Sequence, residues 1–413
     1  MPVRRPFVLA IAAALLIIPV HSAQDGGLTL EKAIETALAR NPEVLAARTR
    51  IEAARGRTLQ LGSRPEPQAL ASVEGVPIPG LKKEGDQIEI HLGIEQTFEY
   101  PGKRSLRAEI GRQGEDMAAV ELDRVRLLLT ARVKRAYWTA AFAGGAAEAL
   151  ERSAGRLDAL LEDLQSKYRT GAAAYADVLR VRAEKARLRN QILDQAKEKR
   201  TAELALDELL GSPPGEPVVL LTALPFVPLE ADAAALIERA RASLPSYRLS
   251  ALRTDRAASV MKLAGLSRRP DFLAGFLLPS VRPNAWGVSF GLTMPFLRPG
   301  RAKGEALEAA ADAEAVRLAS EALDRRVRTA VESAYAAAKS AEEQVLIYEK
   351  SLLRELEDEL GIQLEYFRYG KAEAFSLLDL HRTYVLAQVE HLRALFLYNL
   401  ALADLEVAGE SAD

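Results

Sequence analysis

Along residues 87–100 apolar and polar side chains alternate, with Ile88, Ile90, Leu92 and Ile94 on one face and Glu89, His91, Gly93 and Glu95 on the other. A period of two sustained over that length predicts a β-strand with one apolar and one polar face. The pattern returns at Trp286, Val288, Phe290, Leu292 and Met294, set against Gly287, Ser289, Gly291 and Thr293. Partner strands are expected at 68–74 and 271–278, joined to these by loops at 75–86 and 279–285 that are rich in proline, glycine and charge. Elsewhere the period changes to three and four. Leu323, Val327, Val331, Ala334, Ala338, Ala341, Val345, Tyr348, Leu352 and Leu356 form the stripe of a long helix packed in coiled-coil fashion. After Pro101-Gly102 and again after Pro299-Gly300, no proline interrupts the helical pattern until past Tyr168 and Tyr369. One unbroken long helix is expected in each place.

These patterns occur twice in the same order, which indicates an internal duplication. Asn41-Pro42 recurs as Leu244-Pro245, and Phe98-Glu-Tyr-Pro101-Gly102-Lys-Arg104 as Phe296-Leu-Arg-Pro299-Gly300-Arg-Ala302. Tyr137 matches Tyr335, Tyr168-Arg-Thr-Gly171 matches Phe367-Arg-Tyr-Gly370, and Leu209-Leu210-Gly211 matches Val407-Ala408-Gly409. The offset is 203 at the start and 198 or 199 from Phe98 onward. The first repeat is thus 24–211 and the second 231–409, with a linker at 212–230 and a short tail at 410–413. Each repeat holds two short helices (30–40 and 42–63 in the first), a strand hairpin (68–100; 271–297) and a long helix pair (103–210; 300–407).

The long helix from about Lys103 to Tyr168 would run roughly 99 Å at 1.5 Å per residue. The helix returning over 174–210 would cover roughly 55 Å and that over 42–63 another ~33 Å, so the two short ones stacked end to end nearly match it. The first short helix and the linker would fill the seam. The strands then project beyond one end of the helical body, where no helix remains to cover their apolar faces. If they enter lipid, an open sheet edge would leave backbone groups unpaired, and four strands cannot close. Barrels begin at about eight strands, so more than one chain must contribute. Phe98, Tyr100, Phe296 and Trp286 suit the aromatic girdles at the rims of such a barrel. Glu89, His91 and Glu95 would line its polar interior.

Composition adds a compartment and several exclusions. Arg4 and Arg5, an apolar run over 7–20, and Val20-His21-Ser22-Ala23 read as a secretory signal peptide over 1–23, cleaved after Ser22 or Ala23. The chain has no cysteine, which excludes disulfides, thiolate metal sites and a lipid-modified N-terminal cysteine. A net charge of −2 lacks the basic excess of a nucleic-acid binder. Mean hydropathy of −0.05 with 27% charged residues rules out a bundle of membrane helices while leaving a membrane β-barrel open. No phosphate-binding glycine loop, Gly-x-Ser-x-Gly or His-Glu-x-x-His occurs, so no enzyme and no cofactor are expected. His381 and His391 stand ten apart on one helix, too far for a shared metal, and no resident metal is expected.

The duplicated order of helix, Asn/Leu-Pro, helix, hairpin, Pro-Gly-Lys-Arg, long helix, Tyr-x-x-Gly and returning helix resembles the TolC outer-membrane efflux family. The likeness covers nearly the whole mature chain. Within the family it is nearest the heavy-metal branch typified by cobalt-zinc-cadmium exporters, through Tyr100-Pro-Gly-Lys-Arg104, Tyr369-Gly-Lys-Ala, Leu377-Leu-Asp-Leu-His-Arg382 and Ala401-Leu-Ala-Asp-Leu-Glu406. The resemblance implies a mainly α protein with a membrane β-barrel portion. It implies a homotrimer with a twelve-strand barrel in the lipid of the bacterial outer membrane and a twelve-helix tunnel across the periplasm. It also implies a periplasmic adaptor and an inner-membrane resistance-nodulation-division type pump as partners, with metal cations as cargo. The gate would lie at the helix tips, 168–179 and 367–380. Family acidic positions six and nine residues after the tip glycine are here Asp177 and Asp379, with Arg180 and Ser376 at the other two. Tyr168, Gly171, Tyr369 and Gly370 mark the tips where the adaptor would dock. From the residues alone two other readings stand: a periplasmic adaptor built on a coiled-coil hairpin, and a structural coiled coil without channel activity.

Overall fold

A computed structural model describes residues 27–74, 76, 88–212, 223–279, 286–297 and 299–410. The expected signal peptide, most of both hairpin loops and residues 411–413 lie outside these. The first repeat runs α1 (Leu30–Arg40), α2 (Pro42–Gly62), β1 (Gln68–Glu74), β2 (Glu89–Phe98), α3 (Lys103–Arg169) and α4 (Tyr175–Leu210). The second runs α5 (Ala233–Ser243), α6 (Pro245–Gly265), β3 (Phe272–Pro279), β4 (Gly287–Leu292), α7 (Pro299–Ile347), α8 (Leu353–Arg368) and α9 (Ala374–Glu406). Local chemistry sets the boundaries. Asn41 ends α1 and caps α2, its Oδ1 accepting from the Glu43 N–H at 2.9 Å, with Pro42 at the first helical position. Gly171 and Gly370 close α3 and α8 at φ +78° and +71°, a conformation that glycine adopts without a Cβ penalty.

The long second-repeat helix is not continuous. A π-helical turn at Tyr348–Leu352 separates α7 from α8. The repeat offset explains it: Tyr137 and Tyr335 are 198 apart, whereas Tyr168 and Phe367 are 199 apart. One residue has been added to the second copy between those landmarks. A widened turn absorbs an extra residue while leaving the flanking helix segments in phase.

Helix α3 spans the body with α2 packed along one part and α4 along another, while α6 and α9 flank it from the second repeat. The short helices thus stack along the long one. Near the tips, Leu157, Leu160 and Leu164 of α3 meet Val178, Val181, Leu188, Leu360, Phe367, Leu377 and Leu378. The linker closes the seam at mid-height. Tyr398 and Asn399 of α9 donate to the carbonyls of Val227 and Pro225 at 2.6 and 2.8 Å, and Lys339 donates to that of Leu229 at 2.7 Å.

All four strands form one antiparallel sheet in the order β1-β2-β3-β4. The β2–β3 pairing, from His91 opposite Pro279 to Phe98 opposite Phe272, joins the two repeats. Strand β4 is shorter than the alternation predicts. The Thr293 N–H still bonds the Asp271 carbonyl at 2.9 Å, but Pro295 then turns the chain into a 3-10 segment, Pro295–Leu297.

Candidate functional site

The sheet separates its side chains into two faces. Rows read across it by register include Ala71, Leu92 and Leu278, then Ala69, Ile94, Phe276 and Val288, then Phe98, Phe272 and Leu292. This apolar face is uncovered: Ile94 is 63% exposed and Phe290 82%. Trp286 stacks on Phe276 at its far end, with ring centroids 6.2 Å apart, and Phe98 and Phe296 lie toward the helical end. Uncovered apolar area of this extent marks contact with another protein or with lipid.

The opposite face carries Gln68, Ser72, His91, Glu95, Gly93, Gly275, Ser289 and Gly291. Glu89 shares this face by register, though its side chain lies outside the described residues. His91 and Glu95 therefore sit where the alternation placed them. Leu273 and Leu277 of β3 also fall on this side, and they lie against glycines. A Cβ on Gly93 would meet Leu277 Cδ2 at 2.6 Å, and one on Gly291 would meet Leu273 Cβ at 3.3 Å. Glycine makes room for leucine, so the strands approach closely despite the mixed lining.

At the far end of the body, the two tips are built alike. The N–H of Ala172 bonds the Lys167 carbonyl at 2.8 Å, and that of Lys371 bonds the Tyr366 carbonyl at 2.8 Å, the same helix-ending motif in both repeats. Tyr168 and Tyr175 face each other with centroids 5.4 Å apart. Tyr369 is 76% exposed. Asp177, half-buried at the start of α4, accepts from Arg180 at 3.0 Å. The Arg180 guanidinium also lies 5.7 Å from the Phe375 ring on α9. Asp379 is exposed on α9. The expected acids are thus both at the tips, but Asp177 is paired with Arg180 on its own helix and Asp379 is the more exposed carboxylate.

Sequence reasoning missed a belt of contacts tying the α3/α4 hairpin to α8/α9. Buried Glu184 accepts from Arg382 at 2.7 Å, Arg156 pairs with Glu357 at 3.2 Å, and the Tyr384 hydroxyl donates to Glu357 at 3.0 Å. Glu184 stands 13 residues after Gly171 and Arg382 12 after Gly370, so opposite charges at neighbouring places of the two repeats were the available signal. His381, set apart above as a non-ligand, sits in this belt with Nε2 3.2 Å from the Ser153 carbonyl. Burial pushes its imidazole pKa below the ordinary value of 6.5, outweighing the Ser153 bond that raises it. Burial likewise raises the Tyr384 hydroxyl above its usual range. No group of three or more His, Asp or Glu among the described residues could hold a metal ion. No described helix is long and apolar enough to cross a membrane, a statement that does not bear on strands.

Residues 33–212 match the sequence pattern of the family described as outer membrane efflux protein. No curated protein gives a match. Among solved structures the chain is similar to CusC, a transmembrane channel, at 18% identity over 92% of this chain and 91% of that one, with a TM-score of 0.76. It is similar to the CmeC outer membrane channel of Campylobacter jejuni at 14% identity over 100% and 96%, TM-score 0.76. The open MtrE outer membrane channel of Neisseria gonorrhoeae aligns at 19% identity over 92% and 88%, TM-score 0.75. At those identities the likeness is one of fold. The first repeat thus matches the outer membrane efflux protein family, and over nearly all its length the chain has the fold of these channels.

Proposed function

We propose that copies of this chain close into one outer-membrane efflux channel, a passive exit duct for cations. The observation that carries the reading is the sheet: an uncovered apolar face, a largely polar opposite face, and two edge strands, β1 and β4, each paired on one side only among the described residues. Adding β4 of one copy to β1 of the next satisfies both edges. Because that contact joins two different patches it is heterologous, and a rotation that closes makes a ring. The helices have the same open order, since α2 packs on α3, α3 on α6 and α6 on α7. The rotation that adds β4 to β1 would also bring α7 beside the next α2. Three copies would give twelve strands, within the range of membrane barrels, and agree with the trimer the family resemblance implies.

In this reading Glu89, His91 and Glu95 line the water-filled lumen and the helical body is the periplasmic tunnel. A duct without catalytic chemistry depends on an energy-supplying partner, here an inner-membrane pump reached through a periplasmic adaptor. The exposed aromatics at the tips, Tyr168 and Tyr369, support docking there. Cation cargo rests on Asp379, replicated around the ring, with Asp177 held in check by Arg180, since charged rings select ions by sign.

Unheated gel electrophoresis of outer-membrane fractions followed by planar-bilayer recording tests the channel. An oligomeric, cation-selective conductance is expected, with Asp379→Ala reducing the preference for cations and Arg180→Ala increasing it. A soluble monomer would overturn the channel. An anion-selective or unselective wild-type pore would overturn the cation cargo alone.

A further inference from the structure

The apolar sheet face stops at the row Phe98, Phe272 and Leu292, where the chain enters the helical body. Immediately below it lies a cleft of about 310 Å³ bounded by Phe98, Tyr100, Arg64 and Arg104. Its one carboxylate, Glu99, is already engaged by Arg107 at 2.5 Å. Arg64 and Arg104 are both exposed, and among the described residues no carboxylate pairs with either. A third arginine, Arg269, stands 5.7 Å from the centre of the Tyr100 ring. A cleft with two free guanidinium groups, an aromatic wall and an apolar upper rim suits an anion that carries hydrocarbon. Guanidinium groups bind phosphate through paired N–H donors, and near an anionic surface each adds attraction that salt screens only partly.

We propose that this cleft is a binding site for the headgroup of an anionic phospholipid in the leaflet on the helical side of the membrane. The phosphate sits between Arg64 and Arg104, and the first acyl carbons lie on Phe98 and the apolar face above it. The wider cleft at the equivalent place in the second repeat has buried Ala302 where Arg104 stands, and it carries Glu305, Glu308 and Asp312, with Arg301 paired to Glu305 at 2.9 Å. The site is therefore one per chain. Its occupant would fix the height of the sheet in the bilayer.

The inference rests on the reading that the sheet lies in lipid, and the experiment separates the two. The full protein, purified in detergent, is titrated with phosphatidylglycerol, with phosphatidylcholine and with glycerol 3-phosphate while bound molecules are counted by native mass spectrometry. One phosphatidylglycerol per chain is expected to be retained well above phosphatidylcholine. The double variant Arg64→Gln/Arg104→Gln should weaken it on the order of 25-fold, from about five-fold per arginine near an anionic surface. Arg152→Gln, on the exposed flank of α3 far from the sheet, should leave it unchanged, and Arg104→Lys should recover part of the loss. Equal retention of both lipids, a double variant that binds as the wild type does, or glycerol 3-phosphate binding as tightly as the lipid would each overturn the site. Failure of the wild type to insert into vesicles of either lipid would instead remove the membrane reading itself.

Discussion

At the scale of single residues, the two repeats solve one problem with different side chains. In the first, Asn41 caps α2 and its Nδ2 donates to the Leu209 carbonyl at 2.9 Å, fastening the start of α2 to the end of α4. In the second, Leu244 holds the equivalent place and offers no side-chain cap. Glu410 takes over from beyond the end of α9. It accepts from the Ser246 N–H at 2.7 Å and from Arg124 Nε at 3.1 Å, with its own side chain fully buried. Truncating Asn41 to alanine removes a cap and should cost about 1 kcal/mol. Glu410→Ala removes the cap of α6 and one of the two carboxylates on Arg124, which keeps Glu121 at 3.2 Å, and should cost about 2–3 kcal/mol. Heating series on gels, reading the temperature at which the oligomer dissociates, would check that order. The other residue-scale prediction concerns His381. Its folded pKa lies below its unfolded value, so its contribution to stability is complete above about 6.5 and is lost as pH falls from there through the folded pKa. Dissociation temperature should therefore drop on acidification below about pH 6.5, and His381→Asn should flatten that slope. An unchanged slope in the variant would place the titrating group elsewhere.

At the scale of elements, helix length, repeat order and the alternating strands were legible because each is written in local periodicity. The π-turn was not, although its trace, a one-residue change of offset, was present. Periodicity reports which face a residue occupies, and a widened turn leaves that face in phase on either side. This gives a paired prediction. Deleting Lys350, an exposed residue within the turn, should be tolerated, because the segment can become regular helix with Leu360 and Phe367 still facing α9. Deleting Arg152, the equivalent position in uninterrupted α3, should rotate everything beyond it by about 100°. Leu157, Leu160 and Leu164 would then leave the core, and yield of assembled protein should collapse. Comparable yields from both deletions would contradict this account of the turn. The belt through Glu184, Arg382 and His381 was missed for a related reason. It joins helices from different repeats, and nothing local announces which faces meet.

At the scale of the whole molecule, the decisive feature is that nothing among the described residues of one chain completes it. The sheet has two open edges and the helical layer two open flanks. The absence of native cysteine makes a direct test simple. Cysteines placed together at Ala69, Ala71 or Val73 of β1 and at Val288 of β4 should crosslink between chains on mild oxidation. A ladder of products that stops at the number of chains in the ring is expected, with three as the top rung. A product confined to two chains would indicate a closed pair rather than a head-to-tail ring, and would sink the proposed assembly. The same openness separates this chain from the adaptor reading. Its four strands gather into one sheet at one end of the helices, rather than into β domains around a single hairpin.

By itself, the sequence determined the duplication, the kind and length of nearly every element and the apolar strand face. These follow from covalent order and from period-two and period-3.6 patterning, which act over a few residues. Only the tertiary structure decided that β2 pairs with β3, making one sheet of two hairpins, and that Glu184 of the first repeat pairs with Arg382 of the second. It alone showed Glu410 substituting for a missing cap and an unpaired arginine cleft beneath the apolar face. Those outcomes depend on which surfaces meet across roughly 40 to 290 residues of chain, where packing and charge pairing choose among partners that local pattern leaves equivalent.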